Sequence, residues 1–312
     1  MSLPCVSRRE YKASYEQHLE YVGKISSKKL NKSFRGSVSM YRYQFKGQGV
    51  VLKYYHLKKT HVSRTGFREA IVLNKLKNLK HVVKFEFCVK TSAYLKIFVE
   101  ELQYTLADAL PLFRSQPIKV QIQALIDVTN TFHALHKIER IHGDIKPSNF
   151  MLEKHTLVMK IIDFGYAVHL GNLIEGYSPV YIPPECGRSL HAIEAHITQD
   201  VWSWVLNIFV ILFPDFSSMR LYRYPNGVLG FNADDTRLVK RVLEAESLRH
   251  KLPFDAVMMK WIRESSSRRP SMKKIAYELN SILVGGKQPA PYKSSRKSRE
   301  SLTKTGRKAL AA

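Results

Sequence analysis

The stretch that decides the fold is IHGDIKPSNF at residues 141–150, which is followed closely by IIDFG at residues 161–165. Asp144 can accept the proton of an attacking hydroxyl, and Lys146 can neutralise charge on a moving phosphoryl group. Two further oxygen-bearing side chains can hold metal ions between phosphates: Asn149 and Asp163. These residue types in this order predict phosphoryl transfer from a metal-bound nucleotide.

The two motifs resemble the catalytic loop and the metal-binding triplet of eukaryotic-type protein kinases. The resemblance implies an α+β, two-lobed protein kinase fold over residues 20–284. In that fold a small antiparallel-sheet lobe with one helix, residues 20–101, precedes a larger helical lobe, residues 102–284. It also implies a serine/threonine protein kinase that uses ATP and Mg²⁺, with Mn²⁺ as the alternative metal. Residues 1–19 are expected to form a basic lead-in of uncertain order, and residues 285–312 a basic, disordered tail.

Local patterns in the first lobe agree with this division. Residues 37–45 alternate, so that Val38, Met40 and Arg42 share one side of a strand. The turn residues KGQG at 46–49 lead into a second strand. One helix is predicted over residues 66–79 because apolar residues recur there at helical spacing.

In the second lobe the pattern is helical. Pro117 is expected to open a long helix, and the apolar run at residues 205–213 predicts a helix that is buried on all sides. Strand-like pieces around Met151 and at residues 159–162 flank the catalytic turns. Helical patterns resume from about residue 200 to residue 283.

A lysine and a glutamate of the first lobe complete the resemblance. Lys53 ends the strand VVLK, which resembles the kinase VAIK motif, and this implies that Lys53 contacts the nucleotide phosphates and pairs with Glu69 on the helix. Leu73, one turn after Glu69, is expected to pack toward Phe164 and His142.

The nucleotide pocket is also inferred from the resemblance. The family's phosphate-covering loop reads G-x-G-x-x-G-x-V, of which this chain keeps only Gly36 and Val38. We therefore expect a nucleotide affinity weaker than micromolar, since the backbone of such a loop approaches the phosphates less closely. The expected nucleotide-binding residues are Asn31, Ser33, Gly36, Val38, Val51, Lys53, Glu69, Val99, Glu100, Leu102 and Met151.

The segment after the metal-binding triplet bears on regulation. Ser178 stands where serine/threonine kinases carry a threonine that contacts the catalytic aspartate and lysine, and Glu185 is expected to pair with Arg269. Asp200 matches the aspartate that holds the catalytic loop from below. Gly143 replaces the arginine that normally receives an activating phosphate. We therefore predict activity without phosphorylation of this segment.

Specificity is indicated by the same loop. Lys146 fits serine/threonine kinases, and the HGDIK form resembles the casein-kinase and vaccinia-related-kinase branch. The compact chain and the degenerate phosphate loop are also similar to kinases of large DNA viruses. Ser148 stands where arginine-directed kinases often carry an acidic residue. Protein substrates with serine or threonine acceptors in an acidic or neutral context are therefore expected.

Composition sets the remaining expectations. The chain has 50 Lys and Arg against 26 Asp and Glu, a formal charge of +24 that favours acidic partners, including nucleic acid through the basic surface or tail. No apolar run is long enough to span a bilayer, and the three scattered cysteines predict reduced thiols in an intracellular protein. The expected location is the nucleus or cytoplasm, of a host cell if the protein is viral. The spacing of His191 and His196 does not fit a zinc-binding helix motif.

Two other classes compete with the kinase. A pseudokinase that binds nucleotide as a scaffold is favoured only by the lost glycines of the phosphate loop. A basic nucleic-acid-binding protein is favoured only by the charge, because no recognition motif for nucleic acid is present.

Overall fold

The computed structural model describes most of the chain. Its description covers residues 4–25, 38–58, 60–153, 156–176, 178–188, 192–214, 221–223, 229–231, 236–261 and 266–284. The phosphate-loop residues predicted from the sequence, Asn31, Ser33 and Gly36, lie outside these ranges, as do Tyr177, His191 and the tail at 285–312.

A five-stranded antiparallel sheet forms the first part of the molecule. In chain order its strands are β1 (Leu19–Lys24), β2 (Val38–Phe45), β3 (Gln48–His56), β4 (Phe85–Lys90) and β5 (Tyr94–Glu100), and their order across the sheet is β1-β2-β3-β5-β4. The β2–β3 hairpin turns at Lys46 and Gly47, both with positive φ, as its turn sequence predicts. Val38, Met40 and Arg42 all line the cleft below the sheet, which confirms the predicted alternation.

The N-terminal lead-in is ordered and covers the outer face of this sheet. Helix α1 (Arg8–Ser14) begins after Ser7, whose hydroxyl accepts from the Glu10 N–H. A disulfide joins Cys5 to Cys88 of β4, so the prediction of three reduced thiols is wrong for these two residues. Spacing alone could not reveal the pair because 83 residues separate its members.

A second apolar cluster forms where the lead-in meets the sheet. Tyr11 of α1 is buried against Phe87 and Phe98, with ring centroids 6.3 Å from both. Tyr15 lies 4.3 Å from Phe87. The sheet therefore packs apolar side chains on both faces: against the lead-in outside and against the main core inside.

Helix α2 (Thr60–Leu76) lies on the inner face of the sheet. It begins six residues earlier and ends three residues earlier than the predicted range of 66–79. Gly66, which we took for its start, is an interior position. A Cβ there would come within 2.9 Å of the Tyr55 ring, so only glycine lets β3 approach the helix this closely.

The second part of the molecule is mainly helical. Its helices are α3 (Leu106–Arg114), α4 (Ile118–Lys137), α5 (Pro184–Arg188), α6 (Ile197–Leu212), α7 (Thr236–His250), α8 (Phe254–Met258) and α9 (Met272–Leu283). Pro117 is the N-cap of α4, as predicted. Helix α6 is buried around most of its circumference, with Trp202 and Trp204 at most 1% exposed, so the prediction of a core helix is confirmed.

Short strands support the turns between these helices. They are β6 (Tyr104–Thr105), β7 (Arg140–Ile141), β8 (Phe150–Leu152), β9 (Met159–Ile161), β10 (Val168–His169), β11 (Leu221–Arg223) and β12 (Leu229–Phe231). Strands β8 and β9 confirm the two predicted pieces. The β11–β12 pair lies between residues 200 and 283, where the sequence predicted helical patterns and no strand.

The antiparallel sheet with its helix and the larger helical part together form a two-lobed protein kinase fold. Apolar side chains from both parts belong to one continuous core. Within the described residues, no helix combines the length and the apolar character that a bilayer crossing requires.

Candidate functional site

An open cleft between the sheet and the helical part collects most of the predicted site residues. Its lining includes Val38, Val51, Lys53, Tyr55, Val99, Glu100, Leu102, Ser148, Asn149, Met151 and Asp163. The apolar members lie on β2, β3, β5 and β8, with Leu102 just after β5. Lys53 and Tyr55 lie on β3 and Glu100 ends β5, whereas Ser148, Asn149 and Asp163 lie on the turns beside β8 and β9. The cleft thus offers an apolar slot beside a polar end, as a nucleotide site requires.

Lys53 and Glu69 form an ion pair at the back of the cleft. Lys53 Nζ lies 2.5 Å from Glu69 Oε1, and the Glu69 side chain is fully buried. Burial works to lower the pKa of Lys53, but the attraction of Glu69 and Asp163 outweighs it, so the pKa is raised. Lys53 is therefore held as a cation next to the Glu69 carboxylate.

Tyr55 is a site residue that the sequence analysis missed. Its hydroxyl donates to Glu69 Oε2, so both oxygens of the buried carboxylate are occupied. Burial, followed by the charge of Glu69, raises the pKa of Tyr55 well above its ordinary value. Period-two alternation could have found it, because residues 53 and 55 point to the same face of β3.

The catalytic loop forms a connected network around Asp144. Lys146 Nζ donates to Asp144 Oδ2 at 2.6 Å and to Ser178 Oγ at 2.9 Å. Ser178 in turn donates to Asp144 Oδ1 at 2.5 Å, which is the contact that the sequence predicts. Asn149 donates its amide to the Asp144 carbonyl at 2.7 Å. Asp144 is only 4% exposed, so these donors fix the orientation of its carboxylate.

Asp200 of α6 holds this loop from beneath. Its carboxylate accepts from the His142 N–H at 2.7 Å and from the Gly143 N–H at 3.0 Å. Gly143 has φ +75°, and a Cβ there would lie 2.9 Å from the Tyr166 carbonyl oxygen. The prediction for Asp200 is confirmed, and the glycine proves to be required by a left-handed backbone and a close approach.

The metal-binding triplet turns sharply at Asp163. This residue is left-handed at φ 62°, and its carboxylate accepts from the Gly165 N–H at 3.4 Å. Phe164 is fully buried, with its ring 5.1 Å from that of His142. Leu73 is fully buried and belongs to the same apolar core as Phe164; its packing toward Phe164 and His142 stays a prediction.

Asn149 and Asp163 together suit a hard divalent cation. The amide nitrogen of Asn149 is turned to Asp144, so its carbonyl oxygen is the atom that remains for a cation. Oxygen donors of this kind fit Mg²⁺ or Mn²⁺ and not a soft metal. Since the two side chains supply few ligands, phosphate and water oxygens would have to complete the coordination.

An ion pair closes the segment that follows the triplet. Arg269 donates to both oxygens of Glu185, each at 2.6 Å, and also to the Thr198 carbonyl at 3.0 Å. The Arg269 side chain is fully buried. The predicted pair is confirmed, and it joins α5 to the start of α6.

A second unpredicted residue, Lys160, braces the connection between the two lobes. Its ammonium lies 2.8 Å from both Glu100 oxygens and 2.7 Å from Glu153. The same Glu100 carboxylate accepts from the Lys84 N–H at 2.6 Å. No local sequence motif indicates these ion pairs, because Lys160 lies 60 residues from Glu100.

Comparison with known proteins agrees with this geometry. Residues 27–277 match the family model described as the protein kinase domain. The chain is 31% identical over 152 residues to a probable serine/threonine-protein kinase, fnkB, of Dictyostelium discoideum, covering 44% of this chain and 27% of the relative. It is 25% identical over 197 residues to the serine/threonine-protein kinase SBK1 of Danio rerio, covering 61% of this chain and 51% of the relative. The matches thus span about a quarter to a half of these curated relatives.

Proposed function

Because the chain belongs to the protein kinase family, we propose that it is a serine/threonine protein kinase that transfers the γ-phosphoryl group of ATP to protein hydroxyls. The observation that carries the proposal is the assembly of the ion-paired Lys53 with Asn149 and Asp163 in one cleft. A protein that only scaffolds has no need of a buried lysine–glutamate pair next to two metal-binding oxygens.

The roles of the residues follow from their contacts. Asp144 orients the acceptor hydroxyl and takes its proton, and Lys146, 2.6 Å from that carboxylate, offsets negative charge beside it. Lys53 holds phosphate oxygens while Glu69 and Tyr55 keep its ammonium in place. Asn149 and Asp163 would hold Mg²⁺ or Mn²⁺, and the metal would neutralise charge on the phosphates. The chain's part is therefore mainly positioning and electrostatic stabilisation.

The adenine end of the cleft is assigned on the same basis. Val51 and Met151 sandwich the ring, Val99 lies behind it, and Val38 covers it. The Glu100 N–H already donates to the Lys84 carbonyl at 3.0 Å, so we assign its carbonyl, together with Leu102, to the adenine edge. Asn31, Ser33 and Gly36 remain predicted phosphate-loop residues.

Activity is proposed to be independent of phosphorylation in the segment after Asp163. Gly143 leaves no arginine beside Asp144 to bind a phosphate, and Ser178 already contacts Asp144 and Lys146. Several finer points remain predictions. They are acceptor sites in an acidic or neutral context, contact with nucleic acid through the basic surface, a nuclear or cytoplasmic location, membership of the casein-kinase or vaccinia-related-kinase branch, and a viral source.

Autophosphorylation with labelled ATP tests the proposal. Wild-type protein made in bacteria and treated with phosphatase is expected to incorporate label in Mg²⁺ or Mn²⁺. Asp144→Asn and Lys53→Met are expected to lose label by at least about a hundredfold, since each removes a group that acts in the transition state. The pseudokinase alternative is favoured instead if nucleotide binds but none of the three proteins is labelled.

A further inference from the structure

A carboxylate in the segment after the metal-binding triplet binds two arginines of helix α2. Glu175 accepts from Arg68 twice, at 2.9 Å and 2.7 Å, and from Arg64 at 3.2 Å. The Arg68 pair is bidentate, and its side chains are 21% and 34% exposed. Such a pair is stronger and better oriented than an ordinary surface ion pair.

This contact acts on the residue that holds the catalytic lysine. Arg68 immediately precedes Glu69 on α2, so one helical turn binds Glu175 on its outer side and Lys53 on its inner side. Because the helix backbone between the two residues is rigid, fixing Arg68 also fixes where the Glu69 carboxylate stands. Glu175 lies 107 residues away in sequence, so the contact ties two separate parts of the fold.

Glu175 places its negative charge beside Arg64 and Arg68 of α2. Burial, and after it the charge of Arg68, lowers the pKa of Arg140 on β7. Arg140 Nε is buried without a hydrogen-bond partner among the described residues. Hydrogen bonds from Arg68 in turn lower the pKa of Glu175, so the carboxylate stays charged at neutral pH. Without it, Arg64 and Arg68 would lose the carboxylate that both of them bind.

We infer that Glu175 is a positioning residue that holds α2 in the place that the Lys53–Glu69 pair needs. The inference rests on the proposed kinase activity and deepens it. A carboxylate that is part of the chain does here what an added phosphate would otherwise have to do. The Lys53–Glu69 pair is therefore held in place without any modification of the segment after the metal-binding triplet.

The test compares Glu175→Gln with a charge exchange, Arg68→Glu combined with Glu175→Arg. All proteins are treated with phosphatase, and mass spectrometry checks that residues 163–188 carry no phosphate. We expect Glu175→Gln and Arg68→Glu to lower kcat/KM for ATP about tenfold, and the exchange to recover most of it. Glu244→Gln, which removes an exposed carboxylate paired with Lys240 on α7, is the control and should retain wild-type activity.

Recovery by the exchange separates positioning from a merely structural effect. Equal activity in Glu175→Gln and wild type would overturn the inference, and so would an exchange variant that stays as low as the single variants. If wild type transfers no phosphate at all, the proposed function fails, and hydrogen exchange in residues 60–76 decides instead. Faster exchange in Glu175→Gln that returns to the wild-type rate in the exchange variant would support the inference, and unchanged exchange would overturn it.

Discussion

At the scale of single residues, the site is defined by contacts that occupy every oxygen of its buried carboxylates. Glu69 has one oxygen on Lys53 and the other on Tyr55. Asp144 receives Ser178 on one oxygen and Lys146 on the other. Because unpaired buried carboxylates are costly, these partners determine where each acid can stand.

Tyr55→Phe is expected to reduce both stability and activity. It removes one donor from the buried Glu69 while keeping the ring, so about 1–3 kcal/mol of the free energy of unfolding should be lost. We expect kcat/KM to fall about threefold to tenfold because Lys53 alone then orients the carboxylate. Urea unfolding and a peptide kinase assay measure the two effects.

Tyr54→Phe is the matched control for this change. Tyr54 neighbours Tyr55 in β3 but points to the other face, where its ring lies 5.2 Å from that of Tyr94. It should change stability by less than about 0.5 kcal/mol and leave activity unchanged. Equal effects of the two variants would mean that the Tyr55 hydroxyl has no particular role.

Residues with a local sequence signature were the ones that the sequence could predict. Asp144, Asn149 and Asp163 stand in short motifs whose chemistry is readable without a fold. Tyr55 was missed although it lies in β3, because a tyrosine in an apolar strand is usually a core residue. Glu175 carried no signal at all, since its meaning depends on Arg68, 107 residues away.

At the scale of elements, helix α2 is the part on which the site depends most. Gly66 is where the helix approaches the sheet, and Glu69 is where it contacts Lys53 in the cleft. Arg68 binds Glu175 in the segment after the metal-binding triplet. The sequence predicted that this helix exists and which face carries Glu69. Its start was wrong because glycine weakens helices in general, whereas here the missing Cβ admits the Tyr55 ring.

Gly66→Ala is therefore expected to reverse the usual effect of this substitution. In an open helix, alanine stabilises by about 0.5–1 kcal/mol relative to glycine. Here the new Cβ would meet Tyr55 Cγ at 2.9 Å and Leu95 Cδ2 at 3.0 Å, so we expect a loss of about 1–3 kcal/mol. Thermal and urea unfolding provide the measurement.

Gly23→Ala serves as the control because nothing lies within 4 Å of the Cβ position of Gly23. It should leave the Tm nearly unchanged. If Gly66→Ala raises the Tm, the close approach of β3 to α2 is not a constraint on this helix.

At the scale of the whole molecule, the lead-in is the largest departure from the sequence expectation. Residues 1–19 were expected to be of uncertain order, yet Tyr11 is only 7% exposed, and Cys5 is bonded to β4. Composition does not predict an ordered lead-in because its apolar residues are few and their contacts are to strands far away in sequence. The same applies to β11 and β12, whose short strands carry no periodic signal.

Thiol titration tests the disulfide and the buried cysteine together. Burial raises the pKa of Cys186 to about 12, so at pH 8 almost no thiolate is present in the folded protein. We expect about zero reactive thiols in the native protein, one after unfolding without reductant and three after unfolding with reductant. Three reactive thiols in unreduced, unfolded protein would contradict the disulfide.

The disulfide should also raise stability. The chain-entropy estimate for a loop of this length is about 4–5 kcal/mol. Cys5→Ser is expected to lower the Tm, and added reductant should lower the Tm of wild type but not of Cys5→Ser. A reductant effect of equal size in both proteins would point to another cause.

The left-handed backbone at Gly143 has a consequence for how this chain can change. Because a Cβ at residue 143 would lie 2.9 Å from the Tyr166 carbonyl oxygen, an arginine does not fit there with the backbone as it stands. The backbones of two segments would have to move together before any side chain fitted. A single Gly143→Arg substitution therefore does not by itself provide a phosphate-binding side chain beside Asp144.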